Sequence, residues 1–353
     1  MSRLTVVLSQ APGKHPAKRS LEESVVAALI MEPGLEVSVV PNLYDLGPDH
    51  TGRLFLDSVK GDLVVLSWHF PRAAFWLMDR DGIKGHLGEV LLKPPADEDE
   101  DEAEKPPEEE RPPAIGAAGA IPDRHIYCID LRDFNKPDPY LNEIRRIVAE
   151  CRDRRDVKAR EKAANNPAIL QLGLSFTVPE PAANGHAVNG ALAAFTPEAL
   201  LESAGRRWYP VIDYNRCTNC LECLDFCLFG VYGVDSLERL VTENQDQCKK
   251  GCPACSRVCP QQAIIFPEYK SPAIAGADTG VVGNLKIDLS KLFGGDATDA
   301  LSQAVNERDR ELVNDGRDAV GMAVGIPKRQ DGKATGPKDD LDRLVDDLDS
   351  LGL

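Results

Sequence analysis

Residues 217–227 read CTNCLECLDFC and residues 248–259 read CKKGCPACSRVC, and these two runs hold eight of the 10 cysteines in the chain. The first run spaces its cysteines as C-x2-C-x2-C-x3-C, and the second as C-x3-C-x2-C-x3-C followed by Pro260. Three thiols that are spaced by two residues fit one tight loop, where they can bind three corners of a small inorganic cluster. The spacing therefore predicts two cubane iron-sulfur clusters.

The fourth ligand of each cluster is expected to come from the other run. In bacterial runs of this spacing, the last cysteine points out of its own loop and binds the neighbouring cluster. The first cluster is then expected to bind Cys217, Cys220, Cys223 and Cys259. The second cluster is expected to bind Cys227, Cys248, Cys252 and Cys255. With this exchange, neither cluster is well held without both runs.

Residues 206–270 resemble a bacterial-type ferredoxin that carries two [4Fe-4S] clusters. The entering strand and first run are WYPVIDYNRCTNCLECLDFC, and the second run and its exit are CKKGCPACSRVCPQQAIIF. The resemblance implies a small α+β module with pseudo-twofold symmetry, in which a short helix and hairpin strands follow each run. Two features differ: Leu228 replaces the usual proline after the fourth cysteine, and one extra residue precedes Cys252, where Gly251 can take a positive φ.

Other uses of the same cysteines stay open. Structural zinc sites also use four thiolates, although their ligands are usually paired as C-x2–4-C with a longer gap between the pairs. A secreted disulfide scaffold needs an export signal, which the start MSRLTVVLSQ lacks. We expect a cytoplasmic protein with no integral membrane segment, because no apolar stretch approaches the roughly 20 residues that cross a bilayer. Cys128 and Cys151 lie outside the runs and are expected to be ordinary core or surface residues.

The net charge of -16 argues against nucleic-acid binding and is concentrated in two segments. Residues 96–110 contain ten acidic residues and one lysine, and residues 338–353 contain six acidic and two basic residues. A proline-rich acidic tract buries too little apolar surface to offset its ordering entropy. We therefore expect a disordered insertion at about residues 93–122.

Short apolar strands alternate with helices over residues 1–165. The predicted strands are residues 5–9, 36–40, 62–68 and 126–131, and the predicted helices are residues 21–31, 73–79 and 141–164. This alternation is typical of a parallel sheet covered on both faces. The sequence therefore predicts an amino-terminal α/β domain of the Rossmann or flavodoxin-like kind, with the acidic tract inserted in it.

The loop SQAPGKHPAKRS, after the first predicted strand, is a candidate anion site. Ligands bind at this edge of parallel sheets, and a helix start with basic side chains can hold an anion. The spacing of Ser20 and Glu23 matches a capping box and predicts that the helix starts there. The candidate residues are Lys14, His15, Lys18, Arg19 and Ser20. The ligand would be the phosphate of a flavin or nucleotide; the alternative is a solvated basic turn, because neither a Walker loop nor G-x-G-x-x-G is present.

The sequence Trp68-His69-Phe70 follows the third predicted strand. These side chains either line the same edge of the sheet, where a histidine can transfer a proton, or pack beneath a loop.

The remaining segments connect and extend these two domains. Residues 166–195 are rich in Ala, Asn, Gly and Pro and are expected to form a linker. In the ferredoxin domain at residues 196–270, Thr196 is a candidate N-cap and Pro197 the first residue of a helix through Ser203. Residues 271–353 form a carboxy-terminal extension with a predicted helix at 298–314 and a final amphipathic helix, LDRLVDDLDSLGL. Its apolar stripe fits either its own protein or a partner's groove.

Two adjacent cubanes predict a relay for single electrons. We therefore expect an iron-sulfur electron carrier or electron-transfer subunit, with redox proteins as donor and acceptor. One alternative is an oxidoreductase whose first domain binds a flavin or nucleotide, and another is a structural or assembly protein that uses metal centres as staples. Lys249, Lys250 and Arg257 lie near the second run and either bias its cluster's potential upward and steer an acidic partner, or are simply solvated.

Overall fold

The computed structural model describes residues 3–13, 15–92, 113–165, 195–202, 204–277, 300–314, 316–317 and 319–321. Most of the predicted insertion, almost all of the predicted linker and the whole of the final amphipathic helix lie outside the described residues. None of the helices in the described part of the chain has the length and apolar character needed to cross a membrane.

Five parallel strands form the sheet of the amino-terminal domain, in the order β2-β1-β3-β5-β4. The strands are β1 (Leu4–Ser9), β2 (Leu35–Val40), β3 (Leu63–Ser67), β4 (His86–Leu87) and β5 (His125–Asp130). All residues of β1 and β3 are buried, as expected when helices cover both faces of a parallel sheet. The four predicted strands are confirmed. The sequence pattern missed β4, which has two exposed residues.

Four helices accompany this sheet: α1 (Pro16–Ile30), α2 (Thr51–Ser58), α3 (Pro71–Arg80) and α4 (Pro137–Asn165). Side chains alternate between the two faces of each strand. Val6 and Leu8 therefore pack with α1 and α4 on one face, while Val7 packs with α2 and α3 on the other. The three predicted helices are confirmed as elements, and α2 was not predicted.

The start of α1 corrects the sequence prediction. The helix begins at Pro16, with His15 at the N-cap position, and not after Ser20. Proline suits the first helical turn because its fixed φ matches the helix and its missing N–H would have no partner there. Ser20 lies inside the helix, where its carbonyl oxygen accepts a hydrogen bond from Ser24 Oγ at 2.7 Å. The predicted capping box is therefore wrong.

The second domain is built from short elements around the cysteine runs. In chain order they are α5 (Pro197–Leu200), β6 (Val211–Ile212), α6 (Glu222–Phe226), β7 (Tyr232–Val234), β8 (Leu240–Thr242), α7 (Ala254–Val258), β9 (Ile264–Ile265), α8 (Pro272–Ala275) and α9 (Ala300–Asn314). Strand β6 pairs with β9 and β7 with β8, both antiparallel. Thr196 Oγ1 accepts a hydrogen bond from the Ala199 N–H at 3.2 Å, which confirms the predicted cap.

The two domains share one hydrophobic core. Tyr209, Val211 and Ile265 of the second domain pack in the same buried cluster as Val7 and Trp76 of the first. The second domain thus covers the face of the parallel sheet that carries α2 and α3. The cysteine runs are thereby fixed to the sheet through continuous packing.

Candidate metal centres

Four cysteines surround a first cavity, which Leu240 and Ile264 also line. They are Cys217, Cys220, Cys223 and Cys259. Three of them belong to the first run and the fourth belongs to the second, which is the grouping expected from the spacing. Cys220 is exposed and the other three are buried.

The loop that carries the first three thiols has an unusual backbone. Asn219 and Leu221 have φ values of 59° and 61°, in the left-handed region that disfavours a branched residue such as Leu. The Asn219 side chain fixes the loop to the β7–β8 hairpin, since Oδ1 accepts from the Leu240 N–H and Nδ2 donates to the Glu238 carbonyl oxygen, both at 2.8 Å. Strained positions of this kind concentrate at ligand-binding sites.

The other four cysteines surround a second cavity. They are Cys227, Cys248, Cys252 and Cys255. Leu228, which replaces the expected proline, also lines this cavity and so supplies an apolar wall. Gly251 has a φ of 88°, so the extra residue in the second run is accommodated by the positive φ that only glycine adopts readily.

Among the described residues, hydrogen bonds reach cysteine sulfur atoms in both sets. Tyr232 Oη donates to Cys255 Sγ at 3.1 Å, and the Ala263 N–H donates to Cys259 Sγ at 3.2 Å. Tyr232 is buried and packs in one cluster with Cys223 of the first set and Cys255 of the second. Hydrogen bonds to sulfur are among the features that set the potential of an iron-sulfur centre.

Burial raises the pKa of these thiols. The pKa values of Cys223 and Cys255 lie well above the ordinary value because of desolvation, and neighbouring thiols raise them further. Desolvation raises the pKa of Cys252 to about 11. Since only the thiolate binds metal, a bound cation must displace these protons. Four cysteine sulfur donors around a cavity fit a thiophilic centre such as an iron-sulfur cluster. Among the side chains that the structure describes, no group of three His, Cys, Asp or Glu residues could hold a single metal ion.

Helix α9 covers the second cavity. Its residues Ala304 and Val305 pack against Phe226, Cys252 and Val258. The sequence predicted the helix but not this position. The first cavity, in contrast, has the exposed Cys220 at its rim.

The basic residues predicted near the second cluster have different environments. Arg257 forms an ion pair with Glu307 of α9 at 2.9 Å and donates a hydrogen bond to Tyr269 Oη at 3.1 Å. Lys250 is exposed and Lys249 is half-buried. The arginine that lines the cavity is Arg308, which the sequence reasoning missed because it lies on α9, far along the chain from the second run.

A buried glutamate uses the hydrogen-bond donors of the candidate anion loop. Glu22, which is 3% exposed, accepts from the Ala11 N–H at 2.6 Å and pairs with Arg19 at 2.7 Å. Its carboxylate also accepts from Trp68 Nε1 at 2.8 Å. Arg19, which was expected to bind an external anion, is therefore paired with a side chain of the protein.

The remaining residues of that loop are not brought together around a common point. His15 is exposed at the helix start and Ser20 is exposed inside the helix. The Lys18 ammonium lies 4.4 Å from the centroid of the Trp68 ring. Lys14 lies outside the described residues. An anion site here stays a prediction.

His69 and the two cysteines outside the runs are buried. His69 is 3% exposed and its Nε2 lies 2.7 Å from Asn42 Oδ1. Cys128 lies in β5 and Cys151 in α4, both within the hydrophobic core. They are core residues, as predicted.

An uncharacterized ferredoxin of Methanocaldococcus jannaschii is 47% identical to this chain over 81 residues. The similarity covers 21% of this chain and 54% of that protein, so the chain spans about half the length of the curated relative it matches. No family profile matches the chain, and no solved structure is similar to it. The chain thus joins a ferredoxin-like segment to an α/β domain, and this similarity supports an iron-sulfur electron-transfer protein.

Proposed function

We propose that this protein transfers single electrons through two [4Fe-4S] clusters, as a carrier or as the electron-transfer subunit of an oxidoreductase. The main support is the grouping of the eight cysteines around two cavities. Each cavity has three thiols from one run and a fourth from the other. This is the ligand exchange typical of bacterial two-cluster ferredoxins.

The residues of the chain have three roles in this proposal. The eight thiolates bind iron, and when bound, a [4Fe-4S] cluster supplies one-electron oxidation and reduction with little change in geometry. Tyr232 and the Ala263 N–H orient sulfur through hydrogen bonds. The apolar walls, which include Leu228 and Leu240, limit the access of water.

The α/β domain supports the first cysteine run in this proposal. Arg72 of α3 pairs with the buried Asp213 at 2.5 Å and donates to the Gln262 carbonyl oxygen at 2.6 Å. The Asp213 carbonyl oxygen in turn accepts the Cys217 N–H at 2.9 Å. A short chain of contacts therefore links the parallel sheet to the first ligand. The α/β domain acts here as a scaffold. The partners of the whole protein are an electron donor and an electron acceptor, both unidentified.

Anaerobic purification followed by metal and sulfide analysis tests the proposal. We expect about eight irons and eight sulfides per chain, and an electron paramagnetic resonance signal after reduction with dithionite. The variant Cys151→Ser, outside both cavities, is the matched control and should retain the same iron content. Zinc in place of iron, or centres that accept no electron from dithionite, would refute electron transfer. Flavin absorbance in addition to the cluster absorbance would instead favour a flavin-dependent oxidoreductase.

A further inference from the structure

We propose that Arg308 of α9 raises the reduction potential of the cluster bound by the second cysteine set. This inference rests on the proposed function, because it requires a cluster at that site. It assigns a specific electrostatic role to a helix that lies beyond the ferredoxin-like segment.

Arg308 lies in the wall of the second cavity together with the four cysteines of that set. It is 4% exposed, so its charge is largely removed from water. The guanidinium carbon lies 4.9 Å from the centroid of the Phe226 ring, and Phe226 directly precedes the ligand Cys227. The positive charge is therefore placed beside the ligands and not on the outer surface of the helix.

The guanidinium is held in place by Asp309 of α9 and by Gly321, which follows the helix. Its Nη2 donates to Asp309 Oδ1 at 3.0 Å and to the Gly321 carbonyl oxygen at 3.2 Å. The Gly321 N–H donates to Asp309 Oδ2 at 2.5 Å, which closes the arrangement. Ala304 and Val305 fix the preceding turn of the helix against α7. Arg308 is thus a fixed charge.

The second cavity has a charged residue, Arg308, in its wall, and the first cavity has none among the described residues. None of the described residues that line the first cavity is an arginine, lysine, aspartate or glutamate. At the second cavity Ala304 and Val305 of α9 pack against Cys252, and a low dielectric opposes the additional negative charge of a reduced cluster. A nearby positive charge stabilises the reduced cluster and so raises its reduction potential. This electrostatic stabilisation is stronger in an enclosed site than in water.

The acidic residues of α9 oppose this effect. Glu307 is paired with Arg257 at 2.9 Å. Asp309 is paired with Arg308, but it does not line the cavity. Glu307 and Glu311 both lie near enough to contribute to the raised pKa of Cys252, with Glu307 the larger of the two. Among the described charged residues of α9, Arg308 is the one that lines the cavity.

Potentiometric titration followed by electron paramagnetic resonance tests this role in the full-length protein. In Arg308→Gln we expect the reduction potential of one of the two clusters to fall. At a fixed applied potential, the ratio of reduced to oxidised cluster should then drop about tenfold, which corresponds to 59 mV for one electron. The other couple should be unchanged. Arg308→Lys, which keeps the charge, should restore most of the difference. Arg310→Gln is the matched control, because it makes the same change in net charge at an exposed position of the same helix.

Each outcome separates this inference from the proposed function. Two clusters in the unmodified protein, with both potentials unchanged in Arg308→Gln, would overturn only the role of Arg308. Equal shifts of both couples, or the same shift in Arg310→Gln, would also overturn it. If Arg308→Gln folds poorly, Arg308→Gln/Asp309→Asn removes the charge without leaving Asp309 unpaired, and a smaller selective fall is expected. Loss of about four irons in both variants would assign Arg308 to cluster retention and overturn the electrostatic role. A protein without iron would overturn both proposals.

Discussion

Tyr44 and Tyr209 hydrogen-bond to each other's main chain across the boundary between the two domains. Tyr44 Oη donates to the Tyr209 carbonyl oxygen at 2.6 Å and accepts from its N–H at 2.7 Å, while Tyr209 Oη donates to the Tyr44 carbonyl oxygen at 2.8 Å. The ring centroids are 4.4 Å apart, and both residues are fully buried. Tyr209 lies two residues before β6, which leads into the first cysteine run, so this pair anchors that run to the amino-terminal domain.

Removal of the Tyr44 hydroxyl should destabilise the whole protein. In Tyr44→Phe the buried Tyr209 N–H loses its partner, so we expect the free energy of unfolding to fall by about 1–3 kcal/mol. Urea unfolding followed by far-ultraviolet circular dichroism measures the change. Tyr269→Phe serves as the control, since that side chain is half-buried and its loss should cost less than about 1 kcal/mol. Equal losses in the two variants would contradict the anchoring role.

The ion pair between Arg72 and Asp213 should couple the two domains energetically. The two side chains are only 7% and 3% exposed, so Arg72→Met leaves a buried carboxylate with a more distant partner, Arg216, at 3.6 Å. We expect a loss of about 3–5 kcal/mol in unfolding free energy. Arg72→Met/Asp213→Asn should be more stable than Arg72→Met alone. A double-mutant cycle with additive effects would show that the pair contributes no coupling.

Cysteine variants should affect the clusters according to cavity and not according to sequence run. Cys259→Ser should perturb the same couple as Cys220→Ser, although these residues belong to different runs. Cys227→Ser should perturb the couple that Cys252→Ser perturbs. Electron paramagnetic resonance of the reduced variants distinguishes the two couples. If Cys259→Ser altered the couple that Cys252→Ser alters, the proposed exchange of ligands would be incorrect.

Acid should destabilise the protein through His69. Burial, together with the positive charges of Arg132 and Lys18, lowers the pKa of His69 from 6.5 to about 3. Below its unfolded pKa the unfolded chain binds a proton that the folded protein does not, so stability is lost as the pH falls from about 6.5 toward 3 and is fully present above that window. The slope of the unfolding free energy approaches about 1.4 kcal/mol per pH unit, which is the maximum for one proton.

Urea unfolding between about pH 5 and 7.5 measures this slope. Glutamine cannot take up a proton. In His69→Gln the slope of the unfolding free energy against pH should therefore be smaller, by up to the contribution of one proton. Its stability relative to the unmodified protein should therefore improve as the pH falls. Identical slopes in the two proteins would contradict a neutral, buried His69.

The sequence predicted those parts of the structure that depend on local pattern. Unbroken apolar runs identified β1 and β3, because both faces of these strands are covered. Cysteine spacing predicted which thiols share a cavity, because a loop with x2 spacing directs three side chains to one point. The start of α1 was misplaced because a favourable capping pattern at Ser20 competes with Pro16, whose fixed φ determines the first turn.

Contacts between distant segments could not be predicted from local pattern. Tyr44 and Tyr209 are separated by 165 residues, and neither has a neighbour that indicates its partner. Arg308 lies in a charged helix with no sign in its sequence that it lines a cavity built mainly by residues 210–255. Glu22 likewise reads as an ordinary helix residue, although its carboxylate binds the loop that precedes the helix. Such positions become visible only when the chain is folded.

Mössbauer spectroscopy of the anaerobically purified protein, enriched in a Mössbauer-active iron isotope, tests the two-cluster proposal most directly. We expect about eight irons per chain, all in the spectrum of oxidised, diamagnetic [4Fe-4S] centres, with half of them lost or altered when one cysteine set is substituted. A spectrum of isolated iron ions, or a colourless protein that carries zinc, would contradict the proposal that these eight cysteines form a path for single electrons.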